Sequence, residues 1–323
     1  MAALNTAPLQ ILALYVRHGS NRYGSALGDL ERYYRTRLPN AKVEIVVIDN
    51  ALPSGHRGKA NGAHALIGGS NSAWEFSAWD EGLAVIGPRL LSFDFVHLVT
   101  SAFGQHFTGF IDRIDEPMLA LARRRAFAIG HIDAYNAPVE LFGRQSQAWL
   151  RSSFIFLPPV ELRLLGPVAS VVDRSRLFTG DPTAPFQPDA PISAAYQANI
   201  LDWLTGHGTG QGTAWHSRFD LSEETLSYFE AKAVAILNEH ALSLRLRQQG
   251  CAMVDAIWLA GRLASTSGSR GGSSAVSPWR RQLEERDEAA VHLPLDARGS
   301  PGTANRGVDM AAFPNNEISR EHA

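Results

Sequence analysis

Residues Ile11 to Val16 (ILALYV) form an uninterrupted apolar run that ends in Arg-His-Gly-Ser, the pattern of a strand buried on both faces and followed by a loop. From Ser25 to Leu38 the apolar positions Leu27, Leu30, Tyr34 and Leu38 recur at helical spacing, and Pro39 stops the pattern. Val43 to Ile48 (VEIVVI) predicts a second strand, terminated by Asp49-Asn50. Strand, helix, strand is the opening of a parallel βαβ unit. The pattern continues with a short apolar step at Leu66-Ile67 before Gly68-Gly69, a helix over Trp74 to Ile86 and a strand over Phe93 to Val99. Ala126 to Ile132 and Leu150 to Leu157 predict further strands, the second closed by Pro158-Pro159. Periodicity does not separate parallel from antiparallel pairing, so the expectation is an α/β fold with a mixed sheet and flanking helices.

Gly180 to Pro191 is rich in proline and turn residues and reads as a surface loop, followed by a short helix over Ala194 to Leu204. After a glycine-rich break at Gly206 to Gly212, Glu223 to Gln249 predicts the longest helix, with Leu226, Phe229, Val234, Leu237, Leu242 and Leu246 as its apolar stripe. A last helix is expected over Cys251 to Leu263. Beyond Ala264 the chain turns to STSGSRGGSS and then offers few large apolar residues. The expectation is one domain over 1–264, whose helical part spans about 192–264, and a disordered tail over 265–323 with at best a transient helix near Arg280 to Ala289. On that reading, truncation after Leu263 leaves the melting temperature nearly unchanged.

A chain of 323 residues with 45% hydrophobic content can bury a substantial core. Its formal net charge of −2 gives no global electrostatic reason to expect nucleic acid as a partner. The cations are 27 arginines and three lysines, so planar bidentate donors for carboxylate or phosphate are plentiful. The single cysteine, Cys251, excludes an internal disulfide and a cysteine-based metal cluster, and it fits a reducing compartment. No signal-peptide pattern opens the chain, and no apolar stretch is long enough to span a bilayer. A cytoplasmic protein is expected, with peripheral contact at the inner face of the membrane left open.

Ligands of open α/β sheets collect at the carboxyl ends of the strands, and three loops there carry chemistry. Arg17-His18-Gly19-Ser20-Asn21 can offer backbone N–H groups and a guanidinium to a diphosphate. Asp49 at the second strand end can accept from a ribose hydroxyl, or it can simply form a turn. Gly68, Gly69, Ser70 and Asn71 permit close approach of a ligand, and the Ser/Asn pair can equally cap the helix that follows. There is no GxxxxGK[ST] and no GxGxxG after the first strand, which argues against a phosphate-loop NTPase and a dinucleotide-binding fold.

Three segments, VEIVVIDNALP (Val43 to Pro53), GGSNSAWEFSAWDEGL (Gly68 to Leu83) and QAWLRSSFIFLP (Gln147 to Pro158), resemble bacterial glycosyltransferases of the GT-A fold. The similarity is to the inverting, family-2-like group and its rhamnan- and O-antigen-type branch. It implies a GT-A-like fold and sugar transfer from a nucleotide-diphosphate donor to a glycan or lipid-linked acceptor, in surface polysaccharide assembly. The first segment then resembles the strand whose terminal Asp49 contacts the nucleotide, and the second the stretch, with Gly69 and Asn71, that closes over the donor. The third resembles a later strand on the acceptor side. Enzymes of this group carry an Asp-x-Asp after the next strand, where it holds a divalent metal. Here that strand ends in Thr100-Ser101-Ala102-Phe103, whose hydroxyls are poor ligands for Mg²⁺ or Mn²⁺ without acidic partners. Two alternatives follow: arginines such as Arg17 and Arg151 meet the diphosphate without a metal, or the fold has lost catalysis and serves as a binding or scaffold subunit.

An inverting transfer needs a proton acceptor. Asp133, just past a predicted strand and beside Tyr135, is the first candidate, and Glu75 in the first turn of the Trp74 helix is the second. Tyr135 or Trp149 could stack on a sugar, whereas Phe76 and Trp79 fit a core stripe better. Arg151 is the only charge in an otherwise neutral predicted strand and therefore needs an anionic partner. Glu239 and His240 are adjacent on the long helix, so at most one of them faces a ligand. His97 reads as a satisfied internal histidine, and Arg123-Arg124-Arg125 as a solvated cap.

Overall fold

The computed structural model describes residues 7–105, 108–123, 125–171, 173–207, 219–266 and 276–287. The first half of the chain forms β1 (Gln10–Arg17), α1 (Ala26–Arg37), β2 (Lys42–Asp49), β3 (Arg57–Ala60), β4 (His64–Gly68), α2 (Glu75–Ile86), β5 (Phe95–Thr100) and α3 (Glu116–Ala122). It continues through β6 (Phe127–Gly130), β7 (Ile132–Leu141), β8 (Arg144–Leu150), β9 (Phe154–Leu157) and α4 (Pro159–Leu165). The remainder is largely helical, with α5 (Ala194–Thr205), α6 (Glu223–Gln248), β10 (Ala252–Asp255), α7 (Ala256–Thr266) and α8 (Trp279–Glu285).

Eight strands make one sheet in the order β10-β6-β9-β5-β1-β2-β4-β3, and β7 pairs with β8 in a separate hairpin. β1 pairs in parallel with both β2 and β5, β2 with β4, and β10 with β6, whereas β9 is antiparallel to β5 and β6. β1 sits at the centre, covered on both faces, which is why it is apolar at every step rather than alternating. Its side chains divide by parity: Leu12, Leu14 and Val16 enter a core under α2, α5 and α6, while Ile11, Ala13 and Tyr15 enter a second core under α1, α3 and α7. This is an α/β fold, a mixed sheet between helical layers, as the sequence leads one to expect. Among the described residues no helix is long and apolar enough to cross a membrane.

Several expectations are corrected. Arg151 does not lie inside a strand: β8 ends at Leu150, β9 starts at Phe154, and Arg151–Ser153 is the connection. Asp133, expected just past a strand, is instead the second residue of one, β7. The helix expected from Cys251 begins instead with strand β10, because a short apolar run fits either state until a neighbour supplies hydrogen bonds. Arg123 is no solvated cap, since its Nε bonds Asp94 Oδ1 at 2.7 Å; Arg124 lies outside the described residues.

Part of the expected tail is also structured. α8 packs Trp279 and Leu283 against the core, and Gln282, 1% exposed, bonds Asp255 N, Met253 O and Ser277 O. The residues beyond 287 lie outside the described part of the chain, as do 208–218, which hold most of the glycine-rich break.

Candidate active site

Because β1, β2, β4, β5, β6 and β10 run in one sense, their carboxyl ends share an edge, and the reversed β9 brings Arg151–Ser153 to it. The turn is held there by Thr100 N, which donates to Ser153 O at 3.1 Å. All seven residues singled out above, Arg17, Asp49, Gly69, Asn71, Glu75, Asp133 and Arg151, lie at or beside this edge. The structure distributes them into two groups.

The first group braces the loops. Asp49 is 3% exposed, and its carboxylate accepts from Arg17 Nε at 2.7 Å, Gly19 N at 2.8 Å and Ala51 N at 3.0 Å. The carboxylate thus fixes the loop after β1 from within. Asn50 Nδ2 donates to Asn71 Oδ1 at 3.1 Å and to Trp74 O at 3.1 Å, tying that strand end to the loop before α2. The two glycines are required by this internal packing. A Cβ on Gly68 would stand 1.8 Å from Pro53 O, and one on Gly69 2.1 Å from Asn50 Oδ1. Gly69→Ala is accordingly expected to displace the Asn50 amide and cost about 1–3 kcal/mol in urea unfolding. The Ser/Asn pair does not cap α2; Ala73 N donates instead to Ser77 Oγ at 3.0 Å. Asn71 (φ 56°) and Trp74 (φ 53°) both hold left-handed backbone, a strain that concentrates at functional loops.

The second group is a charged cluster. The Asp133 carboxylate pairs with Arg151 Nε and lies 3.3 Å from His131 Nε2. Burial alone would raise its pKa, but the Arg151 guanidinium and His131 outweigh burial and hold it well below the usual carboxylate range. The array continues inward from His131 Nδ1 to Asp255 Oδ2 at 3.8 Å and on to Arg286 Nη1 at 3.1 Å. Beside it, Ser152 joins two carboxylates: its N–H donates to Glu239 Oε1, and its hydroxyl lies 3.4 Å from Glu75 Oε1. Burial raises the pKa of Glu75 and pushes that of Glu239 up to about 7.

Lys232 completes this side. Its Nζ lies 4.6 Å from the centroid of the Trp74 ring, which also packs at 6.1 Å from Tyr228. Burial lowers the Lys232 amine, and the neighbouring Glu75 opposes that. Tyr228, Lys232 and Glu239 are spaced four and seven apart and so share one face of α6. His240 turns away into a buried cluster with Tyr196, Trp149 and Tyr135. Tyr135 and Trp149, 2% and 1% exposed, are therefore core residues rather than a sugar platform. Phe76 and Trp79 are fully buried, as their spacing implied, and His97 is buried with Nδ1 2.6 Å from Tyr34 Oη. Glu239 stood out in the sequence only as half of an adjacent pair, and Lys232 carried no local signal.

Thr100-Ser101-Ala102-Phe103, at the end of β5, offers no carboxylate to a divalent cation, and the nearby Asp49 and Asp133 carboxylates are each paired with an arginine. Among the described residues, no three His, Cys, Asp or Glu side chains converge to hold a metal ion.

No family model and no curated protein matches this chain. Among solved structures it is similar to the mannosyltransferase PcManGT from Pyrobaculum calidifontis in complex with GDP-Man and Mn2+, at 13% identity over 82% of this chain and 77% of that one, with a TM-score of 0.33. At that level the likeness carries no argument about fold or activity.

Proposed function

We propose that this chain transfers a sugar from a nucleotide-diphosphate donor to a hydroxyl of a glycan or lipid-linked acceptor, by direct displacement with inversion and without a divalent cation. The observation that carries the reading is the convergence, at one sheet edge, of braced loops with the Asp133–Arg151 pair and the Glu75–Ser152–Glu239 cluster. A departing nucleoside diphosphate needs fixed positive charge or oriented N–H groups. Arg151, oriented by Asp133, supplies the charge, whereas the N–H groups of Gly19, Gly68, Gly69 and Ser70 are spent on internal acceptors. Asp49 and Arg17 act indirectly, by giving the first loop its shape. The similarity to the rhamnan- and O-antigen-type branch suggests surface polysaccharide assembly as the setting.

The test is incubation with UDP-, GDP- and dTDP-sugars in excess EDTA and with Mn²⁺. Release of nucleoside diphosphate from at least one donor is expected, with donor affinity alike in both conditions. Absence of binding to every donor would sink the reading. A loss of roughly tenfold or more in EDTA, restored by Mn²⁺, would overturn its metal-independent part. A second reading, a binding subunit without catalysis, is favoured by the engagement of Asp49 and Asp133 with internal arginines. Turnover by the purified chain would end it.

A further inference from the structure

We propose that Glu239 is the residue that takes the proton from the acceptor hydroxyl, with the part-exposed stripe of α6 from Tyr228 to Glu239 forming the wall against which that acceptor lies. The assignment rests on the sugar-transfer reading. Of the carboxylates at the edge, Asp133 is committed to Arg151 and His131, and Asp49 to Arg17 and two backbone N–H groups. Burial raises the pKa of Glu75 too, but its own backbone N–H, the Lys232 ammonium and the Ser152 hydroxyl oppose that rise. Glu239 is held by Ser152, whose N–H fixes Oε1, and remains part-exposed at the sheet edge, with burial outweighing the opposing Ser152 and Arg151.

The face of α6 that carries Glu239 suits an acceptor. Moving toward the helix N-terminus, Glu239 is followed by the small Ala235, then Lys232 and Tyr228, all part-exposed, while Val234, Leu237 and His240 on the other faces are buried. The small Ala235 is the residue of this stripe between the carboxylate and the Lys232–Trp74–Tyr228 stack. An aromatic wall beside a carboxylate is the chemistry that receives the apolar face and one hydroxyl of a sugar ring. In the step itself, the acceptor oxygen bonds the anomeric carbon as its proton passes to Glu239. The bond from that carbon to the donor phosphate oxygen breaks on the opposite side, and its electron pair leaves on the nucleoside diphosphate, facing Arg151. Burial supports the assignment by bringing the carboxyl to about 7, so that it is a base near neutral pH.

Glu239→Gln tests the idea, because the amide oxygen can still accept from Ser152 N and the Arg151–Ser153 turn keeps its anchor. The wild-type chain, assayed first with UDP-, GDP- and dTDP-sugars, decides whether the transfer reading stands at all. With a donor that turns over, the rate is expected to rise with pH through about 7 as Glu239 loses its proton. Glu239→Gln should lower kcat by at least about 100-fold, leave the donor KM within about twofold and abolish the acid limb of the profile. A variant with undiminished kcat, an unmoved acid limb, or a loss confined to donor KM would each overturn the assignment while leaving the transfer reading intact.

Discussion

Truncation after Leu263 is expected to lower the melting temperature by about 10 °C, the reverse of what the composition of the tail suggests. The cut removes Gln282, whose amide satisfies Asp255 N and Met253 O, and Arg286, which pairs with Asp255 and donates to Ile132 O at 2.8 Å. Asp255 is fully buried, so it loses its only arginine partner among the described residues and keeps the N–H groups of Ile132, Ile257 and Trp258, with the His131 ring 3.8 Å away. Removing one partner of a buried ion pair costs about 3–5 kcal/mol, and a chain of this size loses about 2–4 °C per kcal/mol. Trp279 and Leu283 add lost apolar packing. A thermal scan of the truncated chain beside full-length Arg286→Ala separates the ion pair from the rest. A melting temperature within about 2 °C of the full chain would mean that α8 contributes nothing to stability.

Asp49→Ala is expected to lower folding stability by about 3 kcal/mol, again opposite in emphasis to its reading as a nucleotide contact. Three donors converge on this carboxylate, two of them backbone N–H groups of Gly19 and Ala51 that a methyl group cannot satisfy. Asp49→Asn retains an acceptor oxygen and should cost less than half as much. Urea unfolding of both variants gives the comparison. Donor affinity should fall in Asp49→Ala only through disorder of the first loop, so Asp49→Asn should bind donor nearly as the wild type does. Stability unchanged by Asp49→Ala would show that the loop holds its shape without the carboxylate.

The site was legible in the sequence as a place rather than as a set of bonds. Arg17, Asp49, Gly69, Asn71 and Glu75 follow or precede regular elements, so strand-end logic alone puts them on one edge. Their partners were not visible, because the distances that matter join residues far apart in the chain: Arg17 to Asp49, Asp133 to Arg151, Ser152 to Glu239. The need of Arg151 for an anion followed from its apolar neighbours, but that the anion is Asp133 follows from hairpin register, where Asp133 pairs with Trp149. The hairpin itself carried a local sign that the reading passed over: Phe142 (φ 52°) and Gly143 (φ 71°) form a two-residue turn between β7 and β8.

By itself the sequence determined the elements whose periodicity is long and clean. β1, α1, β2, α2, β5, α5 and α6 all stand within about two residues of where hydrophobic spacing put them. It also determined that the sheet would be covered on both faces, since a strand like ILALYV has no polar side to show to water. Tertiary structure alone decided β10, because a four-residue run such as AMVD holds too little periodicity to choose a state and takes it from the strand beside it. It decided the direction of β9, which turns Arg151–Ser153 toward the candidate site. It decided the fate of Gln282 and Arg286, polar residues in a polar stretch whose partners, Asp255, Met253 and Ile132, lie far away in the chain. Local sequence sets what each segment can bury, whereas hydrogen bonds and charges between distant segments are settled only when the chain has closed on itself.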